Sequence, residues 1–131
     1  MLAAVAHLSF LVGFWLIAPI AIYVIKRKES RFVAFYALQA AIVQILFGLG
    51  TALFVMLTVV VIAAAGISGR QELGVIAAIV PLLGCFGGCA GLLCVHAFAA
   101  FNAWQGKDFN IPIASNVARA IMGADEEVPK V

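Results

Sequence analysis

Three apolar runs, at about residues 2–25, 33–66 and 73–104, fill most of this chain. The first is closed by KRKESR (26–31) and the second by SGRQE (68–72). A helix crossing the ~30 Å hydrocarbon core needs about 20 apolar residues, and each run supplies them. Water is absent there, so the backbone must satisfy its own hydrogen bonds, which a helix does. The runs therefore predict an all-α integral membrane protein with three transmembrane helices. Composition excludes the soluble alternative. The chain is 66% hydrophobic and 11% charged, where a soluble domain carries about a quarter charged residues. The second and third runs are longer than the core requires. Gly48 and Gly50 are candidate bends, and Pro81 removes a backbone donor and is a candidate kink.

The character changes after Trp104. QGKDFNIPI (105–113) holds Gly106 and Pro112 and reads as a turn. IASNVARAIMG (113–123) then places Ile113, Val117, Ala120 and Ile121 at helical spacing, with Asn116 and Arg119 on other faces. This predicts a short amphipathic helix on the membrane surface, followed by a charged tail. The expected division is a transmembrane domain, 1–112, and an interfacial segment, 113–131.

Positive charge predicts orientation. Lys26, Arg27, Lys28 and Arg31 form a basic first loop, and Lys107, Arg119 and Lys130 follow the third run. Arg70 alone occupies the second loop. Three spans with the N-terminus outside and the C-terminus inside place seven basic residues in the cytoplasm and one outside. The net charge of +2, with no basic stripe, gives no reason to expect nucleic acid.

LAAVAHLSFLVGF, KRKESRFVAFYALQAAIVQ and AFAAFNAWQGKDFNIPI occur in that order. The ordered set resembles a family of small bacterial membrane proteins of unknown function. That family is distantly related to the twenty-kilodalton subunit of the chloroplast inner-envelope protein translocon. The matching positions include Ala6-His7-Leu8, Ser30, Phe32-Val33, Tyr36-Ala37, Gln39, Gly106, Phe109 and Pro112. The resemblance implies a multi-pass protein of the bacterial inner (cytoplasmic) membrane, and through the plant relatives a link to protein conduction. Family members often carry an acidic residue and a histidine where this chain has Ala34 and Tyr36.

The stretch LGCFGGCAGLLCVHAFAAF (83–101) is the most crowded in chemistry-bearing residues. Cys85 and Cys89 share a helix face, while Cys94 falls on the opposite side. One helix cannot aim all three at one metal, so the cysteines read as packing residues and no cofactor or metal is expected. Gly84, Gly87, Gly88 and Gly91 form two overlapping GxxxG spacings, which let helix backbones approach closely in lipid. The partner is this chain's second span or another protein. His7 and His96 invite a shared ligand, but three spans separate them by most of the membrane thickness. Tyr36, Gln39, Gln44 and His96 are expected to form an intramembrane polar cluster, with Gln39 and His96 at similar depth. Such groups find partners within a bundle, so the cluster is either interhelical glue or a functional site.

No carboxylate lies within a run, and no catalytic motif is present. The chain reads as a non-enzymatic accessory or assembly subunit of an inner-membrane complex. Its expected partners are the lipid bilayer and other integral membrane proteins. The alternative is a small homo-oligomeric channel or transport component.

Overall fold

The computed structural model describes residues 1–9, 15–107 and 109–123. The expected charged tail, 124–131, and the middle of the first apolar run, 10–14, lie outside these residues. Among the described residues all regular structure is helical: α1 (Leu2–Leu8), α2 (Ile17–Lys26), α3 (Arg31–Ile67), α4 (Gln71–Trp104) and α5 (Pro112–Met122).

Among the described residues the first run holds two short helices rather than one long one. It is divided into α1 and α2, which pack against each other. Pro19 accounts for where α2 begins. Proline is tolerated in a first turn, where its missing N–H has no intrahelical partner, but in a helix interior it clashes with the preceding turn. Pro19 is the third residue of α2, and Leu16 caps it. At α1's end the Ser9 hydroxyl donates to the Ala6 carbonyl at 2.8 Å. At ~1.5 Å per residue, the ten residues of α2 extend about 15 Å, half of a ~30 Å core. Two helices, α3 and α4, remain long and apolar enough to cross a membrane.

Serine starts α3: the Ser30 hydroxyl accepts the Val33 N–H at 3.4 Å. The helix then runs unbroken through Gly48 and Gly50, and α4 runs through Pro81. Each long helix stops at a glycine in the left-handed region, Gly69 (φ 70°) and Gly106 (φ 69°). The following N–H turns back to the helix: Arg70 to the Ala65 carbonyl at 3.0 Å, and Lys107 to the Asn102 carbonyl at 2.9 Å. This closure satisfies carbonyls that a helix end leaves open.

The chain divides into two units. One comprises residues 46–92, the adjoining parts of α3 and α4. They pair through small residues: Gly74 lies against Ala65, Gly84 against Phe54 and Gly88 against Phe47. Most large apolar side chains here point outward, including Leu53, Val59, Val60, Leu83 and Phe86. The most apolar stretch of each long helix contains no buried residue. A core helix of a water-soluble protein would hide that face, and water does not tolerate so large an apolar surface. This is a membrane protein.

The other unit comprises residues 1–45 and 93–131. Its larger core gathers Ala3, Phe32, Phe35, Tyr36, Ile42, Ala103, Ala114 and Ala118. A second cluster joins Ala6 to Ala37 and Ala40. These alanines allow α1 to lie close to α3. The packing does not hold the N-terminus a membrane's thickness away from the end of α4. Instead Met1, Ala4, Val5 and Leu8 line a groove with Ala97, Ala100, Phe101 and Trp104. The N-terminus therefore lies beside the C-terminal turns of α4.

Candidate functional site

The second unit buries a group of polar side chains. His7, Gln39 and Gln44 have no exposed surface, and Tyr36, His96 and Ser115 are nearly as hidden. Four of these, Tyr36, Gln39, Gln44 and His96, are polar residues that the sequence singled out. Tyr36, Ala40 and Gln44 follow one face of α3 at four-residue spacing. The alanine contact between α1 and α3 sits within this face, and the next residue of α1 after Ala6 is His7.

His7 meets His96. Their Nδ1 atoms lie 3.1 Å apart and their ring centroids 5.2 Å apart. One neutral ring donates from Nδ1 and the other accepts there. The Tyr36 ring stands edge-on to His7, with centroids 6.2 Å apart. The expectation that membrane thickness separates the two histidines is overturned. Once the first run folds as two short helices, α1 returns to the C-terminal turns of α4 and carries His7 to His96. The sequence reading left His7 out of the site; Pro19 permits a break in the first run but does not require one, since α4 passes Pro81 unbroken.

Gln39, expected at the same depth as His96, finds its partners at the start of α5 instead. The Gln39 amide nitrogen donates to the Phe109 carbonyl at 3.2 Å and to the Ser115 hydroxyl at 3.1 Å. One turn earlier, the Tyr36 hydroxyl donates to the Lys107 carbonyl at 3.0 Å and accepts the Phe109 N–H at 2.5 Å. Tyr36 and Gln39 thus anchor the connection into α5 by its backbone. Ser115 was not anticipated as a partner, because hydrophobic spacing identifies the apolar face of α5 and ignores the opposite one.

Gln44 differs from its neighbours. Both of its amide atoms are buried without a hydrogen-bond partner among the described residues, as is Gln39 Oε1. A buried amide in this state costs stability, and replacement by an apolar group of similar shape is near neutral or favourable. Gln44→Leu is therefore expected to keep or raise the thermal midpoint of the purified protein in detergent. A lower midpoint would mean that Gln44 holds the fold together.

The remaining expected positions are distributed differently. Gly84 and Gly88 lie against aromatic rings of α3, whereas an atom added at Gly87 or Gly91 meets nothing within 4 Å. The two glycine spacings thus do separate things, one facing this chain and the other open. Cys85 is half-buried and Cys89 and Cys94 are exposed, all as free thiols. Among the described residues no group of three histidine, cysteine or acidic side chains could hold a metal. In the basic loop Lys26 pairs with Glu29, and Arg31 donates to the Met122 carbonyl at 3.5 Å. Arg27 and Lys28 are exposed.

Fold and site together define a small helical membrane protein: two long apolar helices, and a bundle with a buried polar centre built around a histidine pair. The chain belongs to the magnetosome magnetite crystal formation protein family, whose model matches residues 1–118. This membership corrects the resemblance to relatives of the chloroplast translocon subunit, and removes the link to protein conduction that rested on it. No curated protein and no solved structure matches the chain.

Proposed function

We propose that this chain is a non-catalytic, multi-pass accessory subunit of the magnetosome membrane, acting in magnetite crystal formation by holding other membrane proteins in place. The observation that carries this reading is the family match over nearly the whole chain, joined to two long helices whose apolar faces are open. The Gly87–Gly91 face supports an accessory role. It is bare of neighbours, and small residues of this kind admit a second helix at close range in lipid. The charge distribution supports an orientation with the basic loop, Lys26, Arg27, Lys28 and Arg31, in the cytoplasm and Arg70 on the far side.

Deleting the gene in a magnetite-forming host tests the role. Electron microscopy of the deletion strain is expected to find smaller or misshapen crystals, restored by the wild-type chain. Crystals of unchanged size and shape would overturn the assignment. Gentle extraction of a tagged chain is expected to recover other integral membrane proteins in fixed ratio. Recovery of the chain alone, as a homo-oligomer, would replace the accessory role with self-assembly.

A further inference from the structure

Helix α5 divides its surface into three sectors. At roughly 100° per residue, Ala114, Ser115, Ala118 and Met122 fall within one third of the circumference. The first three of these are buried and Met122 packs on the core. Ile113, Val117, Ala120 and Ile121 occupy a second third and are exposed, Ile113 at 67% and Ile121 at 56%. Asn116 and Arg119 take the last third, also exposed. A helix on the surface of a water-soluble protein needs two sectors, one for the core and one for water. The third sector, open and made of branched apolar residues, requires another medium.

Within the same unit that medium is already implied at the end of α4, where Trp104 and Phe101 are exposed. The helix cannot roll to hide its apolar sector. Ser115 is hydrogen-bonded to Gln39, the Met122 carbonyl accepts from Arg31, and Arg119 bonds Asn110 at 3.0 Å while lying over the Phe35 ring. Arg31 also ties the last turn of α5 to the chain that follows Lys26, Arg27 and Lys28. Exposed cations beside an exposed apolar stripe complement phosphate headgroups above acyl chains.

We propose that α5 lies in the phospholipid headgroup layer. Its small-residue sector is docked on its own bundle, Ile113, Val117 and Ile121 enter the acyl region, and Asn116 and Arg119 face water. This rests on the membrane reading of α3 and α4.

Site-directed spin labelling of the full chain tests it. Cys85, Cys89 and Cys94 are replaced by serine, and single labels are placed at 113, 116, 117 and 121, with a control at 59. The labelled protein is reconstituted in phosphatidylcholine vesicles containing phosphatidylglycerol. Oxygen concentrates in lipid and a nickel chelate stays in water. Labels at 113, 117 and 121 are expected to favour oxygen over the chelate several-fold more than the label at 116. Equal chelate access at 113, 116 and 117 would place the stripe in water and overturn the proposal. Exclusion of both reagents from 113 and 117 would overturn it in favour of a second copy covering the stripe. The control at 59 separates the two levels: a chelate-accessible label there means that the membrane reading has failed. None of the labelled positions belongs to either core cluster, so the bundle tolerates the labels.

Discussion

His96→Leu is expected to destabilise the protein by about 1–3 kcal/mol, because it strands a buried histidine nitrogen. His7 has no exposed surface. Its Nδ1 faces His96 Nδ1 at 3.1 Å, and its Nε2 is already without a partner among the described residues. Leucine at 96 fills the space and supplies neither donor nor acceptor. His7→Leu removes the other half of the same contact. The double variant is the sharper case, since it removes both halves of the pair and leaves no stranded nitrogen. Its loss is expected to be smaller than the sum of the single losses, with a coupling of about 0.5–3 kcal/mol for residues in contact. Unfolding curves of the four proteins in one detergent measure this directly. Single losses that add to the double would mean that the rings touch without supporting each other. Protease sensitivity of the N-terminal segment adds a second readout, because the pair joins α1 to α4. Cleavage near the N-terminus should rise in both single variants.

The second large effect concerns which glycine of the overlapping motifs is filled. A Cβ at Gly84 stands 3.1 Å from Phe54 Cε1, and one at Gly88 stands 3.3 Å from Phe47 Cε2. Carbon atoms rest at about 3.5–4.0 Å, so even alanine pushes on these rings, and leucine cannot enter without separating the helices. Gly84→Leu is expected to cost about 1–3 kcal/mol by overpacking. Gly87 and Gly91 have no neighbour within 4 Å. There a side chain meets open space and a stiffer backbone, and Gly87→Ala is expected to change stability by no more than ~1 kcal/mol, upward. The contrast between neighbouring positions is the test, read as thermal midpoints in one detergent. Equal losses at 84 and 87 would mean that the glycines act through backbone flexibility rather than close approach. A loss at 87 seen only in the native membrane, and absent from the isolated protein, would point to a partner seated on that face.

Much of the fold was legible in the chain. Length and apolarity are local properties, so α3 and α4 could be outlined from 33–66 and 73–104. The turns at Gly69 and Gly106 follow from residue type, since helices commonly end where glycine takes the left-handed region. The spacing of Ile113, Val117 and Ile121 marked a helix over α5. The first run misled because it satisfies the same length criterion while holding Pro19, and hydropathy does not weigh a missing N–H. The error then spread. Read as one span, the first run put His7 a membrane's thickness from His96, which it in fact meets.

The polar site was legible as a set of residues and illegible as a set of pairs. Glutamine, histidine and tyrosine are rare and costly among apolar residues, so Tyr36, Gln39, Gln44 and His96 stood out by type alone. Their partners depend on how chain segments tens of residues apart come together, and periodicity carries no such information. Composition thus establishes the medium, and local spacing establishes the helices, because both depend on near neighbours in the chain. The histidine pair, the anchoring of α5 by Tyr36 and Gln39, and the division of the glycines into a covered and an open face depend on which helices touch. That choice lies in the packing of small side chains, Ala6 on Ala37 and Ala40, and Gly84 on Phe54.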